Sequence, residues 1–294
     1  MSGSNPAFAK TAIIGVGLLG GSLAMALRQH RLTDRIVGCG RSEENLCIAQ
    51  SRGIIDAWTQ NPAEAVQDAD IVVLATPIEA FVPLAASFRS HLKSGSLVTD
   101  VGSVKGALVG KIEALMPDGV AFVGGHPIAG GEEAGCAAAR ADLFAGKRCI
   151  ITPMPTSDRT ACATVIALWR AVGMRTEEMD PFAHDTLYGL VSHFPHLVAY
   201  ALVNTAVGSD ERAIDYAGSG FRDATRIALS PPDLWRGIAL ANRDAVISAA
   251  RVFRKELDSI IFAVEKNDAS ALEVLLHKAQ KARNDISGKT VDEE

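Results

Sequence analysis

The sequence predicts an α/β chain: a doubly wound, mostly parallel sheet followed by an all-helical region. Three observations carry this. Short apolar runs alternate with helix-length segments from residue 10 to about residue 178, which is the rhythm of βα units. The first run leads into Gly15-Val16-Gly17-Leu18-Leu19-Gly20, a G-x-G-x-x-G loop with a strand before it and a helix after. Beyond Asp180-Pro181 the β rhythm stops and long periodic apolar stretches take over. The expected architecture is an N-terminal Rossmann-type domain over residues 1–180 and an all-helical C-terminal dimerisation domain over residues 181–294.

Lys10 to Ile14 reads as a buried parallel strand, and Gly21 to about His30 as the helix behind the glycine loop. In that loop Gly15 allows the tight turn, Gly17 lets a pyrophosphate approach the backbone, and Gly20 lets helix and strand pack closely. Leu18 and Leu19 complete the loop, and the helix N-terminus offers free N–H groups to phosphate. The second strand, Arg35 to Gly38, ends in Cys39-Gly40-Arg41-Ser42 with no acid until Glu43. An NAD enzyme usually holds the ribose 2′-hydroxyl there with Asp or Glu. Arg41 can instead pair a 2′-phosphate, with Ser42 adding a donor, or it can be a solvated loop residue. Gly40, Arg41 and Ser42 therefore favour NADP, with NAD weaker rather than excluded.

A helix is expected over Glu43 to Arg52 and a strand over Asp70 to Ala75, closed by Thr76-Pro77. That loop is expected over the nicotinamide ribose, unless it is a plain strand-ending turn. A helix from about Ile78 to Leu92 follows, then a strand from Ser96 to Val101 and a helix ending near Met116. Ser103 lies between the last two, where it can cap the helix, serve catalysis, or both; Lys105 reads as solvated. Val120 to Val123 is the next strand, placing His126 of Gly125-His126-Pro127-Ile128-Ala129-Gly130 where the strand ends and its loop begins. A histidine there can reach a ligand and accept a proton near neutral pH.

Residues 134–146 read as an alanine-rich helical insertion. Strands at Arg148 to Thr152 and Met174 to Glu178 then bracket a helix from about Asp158 to Val172. His184 to Val207 reads as one long helix carrying Ser192-His193-Phe194-Pro195-His196, with Pro195 kinking it. His193 and His196 share a helical face. No nearby cysteine or acid completes a metal set, so they are expected to face a substrate. Gly218 to Arg226 opens on turn glycines and ends on a guanidinium suited to a carboxylate. Helical stretches at about Asp233 to Lys266 and Ala269 to Ile286 carry more apolar surface than their domain needs internally, which points to a homodimer.

The chain has 294 residues, 48% of them hydrophobic, and a formal net charge of -5. That charge argues against non-specific nucleic-acid or acidic-membrane binding. Five scattered cysteines without a C-x-x-C pair suit free thiols in a reducing cytoplasm. The apolar segment 12–27 carries four glycines and fits neither a signal peptide nor a membrane span.

Asp100-Val101-Gly102-Ser103-Val104-Lys105, Gly125 to Gly130, Ser192 to His196 and Thr225-Arg226-Ile227-Ala228 followed by Trp235 stand in this order. With the glycine loop, they make a chain that resembles the prephenate/arogenate dehydrogenase family of tyrosine biosynthesis. The resemblance runs to about Asn242. It implies that His126 is the catalytic histidine taking the proton of the ring hydroxyl, and that Ser103 hydrogen-bonds that hydroxyl. It further implies that Arg226 binds a substrate carboxylate, that His196 lines the side-chain end of the site with His193 and Trp235, and that Glu132 is an acid at its entrance. The substrate is then arogenate or prephenate. Glu132 and Glu133 could pair the ammonium that only arogenate carries, which tilts the expectation towards arogenate. Two other readings stay open: a β-hydroxyacid or imine reductase of the same two-domain plan, and a nucleotide-sensing protein without catalysis.

Overall fold

The computed structural model describes residues 8–131, 133 and 135–291. Residues up to Asn242 form one compact unit and those from Arg243 onward a second. The first unit opens with β1 (Phe8–Ile14), α1 (Leu18–Gln29), β2 (Thr33–Cys39) and α2 (Glu43–Ser51). Next come β3 (Ala57–Thr59), α3 (Pro62–Val66), β4 (Ile71–Leu74) and α4 (Phe81–Phe88). β5 (Leu97–Asp100), α5 (Gly106–Glu113), β6 (Ala121–Pro127), β7 (Arg148–Thr152), α6 (Arg159–Ala171) and β8 (Arg175–Glu178) complete the sheet region.

The eight strands lie in the order β3-β2-β1-β4-β5-β6-β7-β8. The first six follow the doubly wound dinucleotide-binding order, which reverses direction between β1 and β4. Both faces are covered. Ile13, Val73 and Val123 point into one apolar layer with Leu23 and Trp169. Their strand neighbours Ala12, Ile14, Val72 and Leu74 point into the other with Phe81 and Phe88. Burial on both faces is why these strands read as continuous apolar runs rather than alternating ones.

Several expectations are corrected here. Residues 53–69, left unassigned by the sequence, contain β3 and α3. Strand β3 is only three residues long, and none of them is fully buried, so its pattern is too short to read. Of the expected helical insertion over 134–146, the described residues 135–146 are not helical beyond a single 3₁₀ turn at Cys136–Ala138; Ala139 packs against α1 instead, beside Gly21. Strand β6 does not stop at Val123. It pairs parallel with β5 through Thr99↔Val123, then antiparallel with β7 from Gly124↔Thr152 to Pro127↔Cys149. His126 is therefore a strand residue, not the first residue of a loop. Gly124 and Gly125 serve close approach rather than a turn: a Cβ on Gly124 would fall 2.4 Å from Thr152 Oγ1.

The helical region of the first unit holds α7 (Pro181–Tyr188), α8 (Phe194–Ser209), α9 (Ser219–Thr225) and α10 (Pro232–Ala241). The single long helix expected over 184–207 is two helices joined by a π-helical stretch at Gly189–His193. Pro195 lies in the first turn of α8. It has no N–H to give to the Val191 carbonyl, so the α ladder cannot close across that point. The expected helix from Asp233 to Lys266 divides at Asn242, which ends α10. The second unit is the pair α11 (Arg243–Glu265) and α12 (Ala269–Val291). Asn267 turns between them at φ 53°, and Asp268 caps α12 through Ala271 N–H at 2.9 Å.

Candidate functional site

His126 lies just beyond the point where β6 exchanges β5 for β7 as its neighbour, paired with Ile150 of β7, past the carboxyl end of β5. The residue is 8% exposed. Nδ1 of His126 lies 2.8 Å from Nε2 of His184 on α7, and Nδ1 of His184 lies 2.9 Å from Asp185 Oδ1. Tyr188, one turn further along α7, packs edge-on against His126 with ring centroids 4.9 Å apart. Burial first, then the neighbouring His184, Lys105 and His193, holds the His126 imidazole well below the usual histidine range. His184 is also lowered by burial, although the Asp185 carboxylate beside it opposes the shift.

Lys105 is fully buried rather than solvated. Its ammonium pairs with Asp100 at the end of β5. Asp100 also accepts the N–H of Gly102 at 2.9 Å and that of Gly125 at 3.0 Å. One carboxylate thus ties the loop after β5 to the residue before His126. The backbone N–H of Lys105 donates to Asp185 Oδ1 at 2.7 Å, joining this loop to α7. Ser103, in the same loop, is half-buried. It is not a helix cap, since the residue capping α5 is Lys105, without a side-chain bond. Its backbone faces the ring of His193.

His193 and His196 both meet Trp235 of α10. His196 stacks on the indole with centroids 3.3 Å apart, and the His193 ring lies edge-on at 6.3 Å. His196 donates from Nδ1 to the Ser192 carbonyl at 2.9 Å. His193 is held by Asn242, and burial brings its pKa down to about 4. Arg226 ends α9 at the protein surface, near enough to His196 to lower that ring's pKa after burial and the Ser192 bond have acted. Glu132 lies outside the described residues. Glu133 is exposed.

The nucleotide side is built from the glycine loop. Gly15 adopts φ +106°, and a Cβ there would fall 2.5 Å from the Ala75 carbonyl oxygen. Gly20 sits against Gly15 so closely that a Cβ would meet its carbonyl at 2.1 Å. Gly17 has open space, with nothing within 4 Å of where a Cβ would stand. It caps α1 without any side-chain hydrogen bond, so the first N–H groups of α1 open onto that space. A dinucleotide pyrophosphate fits such a cradle. Thr76 and Pro77 leave β4 beside Gly15. Ser42 caps α2 through Asn45 N–H at 3.2 Å, and the Arg41 carbonyl accepts from Gln60 Nε2 at 2.7 Å. Leu18 reaches the loop after β6, its Cδ2 lying 3.4 Å from a Cβ placed on Gly131.

Sequence reasoning missed His184, Asp185, Asn242 and Asn45. The Asn45 amide donates to the Val16 carbonyl at 2.7 Å and accepts from Cys136 N–H at 3.2 Å, clamping the glycine loop to the 136–138 turn. Adjacent His184-Asp185 at the start of an apolar helix was an available signal, since two ionisable residues there need partners. Asn45 and Asn242 left none.

The comparisons with known proteins agree on one family. The family model described as "Prephenate dehydrogenase, nucleotide-binding domain" matches residues 23–178, and "Prephenate dehydrogenase, dimerization domain" matches residues 180–278. The chain belongs to the prephenate/arogenate dehydrogenase family. Within this family it is similar to the prephenate dehydrogenase of Bacillus subtilis, 36% identical over 264 residues, covering 88% of this chain and 71% of that protein. It is 32% identical to the cyclohexadienyl dehydrogenase of Zymomonas mobilis over 280 residues, 94% of this chain and 95% of the relative. Its fold matches the crystal structure of prephenate dehydrogenase from A. aeolicus in complex with hydroxyphenyl propionate and NAD+. That match has a TM-score of 0.89 and 36% identity and covers 97% of this chain and 100% of the other. The family's nucleotide-binding match begins at residue 23, after the glycine loop, so the cradle described above rests on its own geometry.

Proposed function

We propose that the protein oxidatively decarboxylates arogenate, prephenate or both, yielding tyrosine or 4-hydroxyphenylpyruvate, with NADP preferred and NAD possible. The observation that carries this reading is His126 itself: a neutral imidazole, one nitrogen engaged by His184, near the carboxyl end of a strand in the sheet whose first strand leads into the dinucleotide cradle. Family membership and the NAD+ and hydroxyphenyl propionate bound by the A. aeolicus relative support it. Gly15, Gly17, Leu18, Leu19 and Gly20 would hold the pyrophosphate, and Thr76 and Pro77 the nicotinamide ribose. The bound nicotinamide supplies the hydride acceptor.

The residues of the chain orient the substrate and take one proton. His126 accepts it from the ring hydroxyl at Nε2, and Ser103 hydrogen-bonds the same hydroxyl. Base catalysis of this kind is worth about 10²- to 10⁴-fold. Arg226 pairs with a substrate carboxylate, His193, His196 and Trp235 wall the site, and the family resemblance assigns an acid, Glu132, to its mouth. An acid there favours arogenate, which alone carries an ammonium. Loss of the ring carboxylate aromatises the product, so the step runs one way. Arg41 and Ser42, with no acid at the end of β2, favour a 2′-phosphate.

We assign nucleotide binding to residues 1–180 and substrate binding and dimerisation to residues 181–294. The exposed Val252, Leu257, Ile261 and Phe262 of α11 are then surface for a homodimer through the C-terminal helices to cover. A cytoplasmic setting suits the free cysteines. Steady-state rates for both substrates with both nucleotides test the reading. We expect the highest kcat/KM with NADP, and with arogenate at least as good as prephenate. Turnover of neither substrate with either nucleotide overturns it.

A further inference from the structure

Two hydrogen bonds behind His126 fix where its proton sits. Asp185 is a carboxylate, and its oxygens only accept. Oδ1 receives the backbone N–H of Lys105 at 2.7 Å and faces His184 Nδ1 at 2.9 Å. His184 must therefore carry its proton on Nδ1. A neutral imidazole has one N–H, so His184 Nε2 is an acceptor. The atom facing it at 2.8 Å is Nδ1 of His126, which must then donate. The remaining nitrogen of His126, Nε2, is left with its lone pair. The arrangement is held from several sides. His184 is fully buried, and the Asp185 carbonyl accepts from the Asn242 amide at 2.7 Å. A Cβ on Gly106 would fall 2.5 Å from Asp185 Oδ2, so α5 closes over the carboxylate.

We propose that His184 and Asp185 are positioning residues for His126: they hold it in the Nδ1–H tautomer and stabilise the imidazolium formed when Nε2 takes a proton. The proposal rests on His126 being the base. When the proton arrives, the His126 Nδ1–H bond to His184 becomes charge-assisted, and the His184 Nδ1–H bond polarises towards the carboxylate. Asp185 thus acts one ring away from the substrate, and no proton needs to leave His184. The other ionisable or charged groups around His126 are Lys105 with its partner Asp100, His193, Tyr188 and Cys149. Among these, Asp100 is already engaged by Lys105, so Asp185 is the carboxylate in line with the ring.

Nitrogen-15 NMR of histidine-labelled protein, assigned with His126→Asn, reads the tautomer without substrate. The expected result is an unprotonated Nε2 and a protonated Nδ1 on His126; the reverse overturns the proposal whatever the protein's substrate proves to be. Asp185→Asn keeps an acceptor oxygen in place and removes the charge. It is expected to lower kcat by roughly 10- to 10²-fold, to leave substrate KM within about twofold, and to move the acid limb of the pH profile downward. His184→Gln can still accept from His126 and donate to Asp185, so it should retain more activity than His184→Leu. A purely structural pair would instead lower the melting temperature and leave the limb in place, and that result also overturns the proposal. Absence of dehydrogenase turnover in the unmutated protein would fail the functional reading alone, with the tautomer still measurable.

Discussion

The Asn242 side chain spans two groups on the neighbouring helices: its amide donates to the Asp185 carbonyl at 2.7 Å and meets Nδ1 of His193 at 2.9 Å. The amide nitrogen can only donate, so His193 accepts at Nδ1 and carries its proton on Nε2. That atom is buried, in the ring that the Ser103 backbone faces. Asn242→Asp replaces the donor with a carboxylate facing a carbonyl. We expect a loss of about 1–3 kcal/mol in unfolding free energy, measured by denaturant titration. Unchanged stability would show that the bridge contributes nothing.

The buried Asp100–Lys105 pair makes a second prediction. Lys105→Met leaves Asp100 uncompensated and should cost about 3–5 kcal/mol. Adding Asp100→Asn should recover part of that loss, because the stranded charge is then gone. A double variant as unstable as the sum of the two single ones would contradict this account.

The glycine loop separates folding from binding. Gly17→Ala places a methyl in open space on extended backbone (φ −99°), so the melting temperature should barely change. The methyl stands in the proposed path of the pyrophosphate, and dinucleotide Kd should rise about tenfold or more, or about 1.4 kcal/mol. Gly15→Ala meets the Ala75 carbonyl at φ +106° and should lose stability as well, by about 1–3 kcal/mol of backbone strain alone. Equal behaviour of the two variants in calorimetry and binding would reject the distinction.

Acid should act on stability before it acts on the base. His126, His184, His193 and His196 all have folded pKa values below the ordinary histidine value. For such groups the unfolded chain binds more protons below about pH 6.5, so stability falls as pH drops through that value. For His193 the loss continues down to about pH 4. Each group contributes up to about 1.4 kcal/mol per pH unit. The melting temperature should therefore decline between pH 6.5 and 5, while the acid limb of kcat/KM, measured over the range where the protein stays folded, lies below 6.5. A limb at or above 6.5 would mean that burial does not control His126.

Arg226→Ala should raise substrate KM strongly with a smaller change in kcat, and Arg41→Ala should weaken NADP more than NAD. Both are read from steady-state kinetics. Equal losses for the two nucleotides would remove the case for a 2′-phosphate contact.

The strand pattern was legible because each buried parallel strand is a short apolar run with a helix-length spacing behind it, as Ile71 to Leu74 shows. The path of β6 was not. Gly124-Gly125-His126-Pro127 has turn chemistry in isolation, and only the antiparallel partner β7 keeps it extended. His126, Ser103 and Arg226 were visible as chemistry-bearing residues beside glycines. The hydrogen-bond network behind them was not, because Asp185 and Asn242 find their partners 80 and 49 residues away in sequence, at Lys105 and His193. Lys105 read as solvated because a lysine is almost never fully buried unless paired, and its partner came from the fold.

The π-helical stretch at Gly189–His193 sets the phase of everything after it. At about 100° per residue, an unbroken α-helix would put His184 and His193 on opposite sides of its axis. The wider turn absorbs roughly one residue of rotation, so both imidazoles come round to the Asn242–Asp185 side. Closing that stretch into a regular helix without removing a residue would swing His193 and His196 round by about 100°, out of alignment with the ring pair on α7; removing one residue together with the wide turn would leave them in phase. The phase between the histidines therefore matters as much to this network as their identity, and a scan that only exchanges side chains would never reveal it.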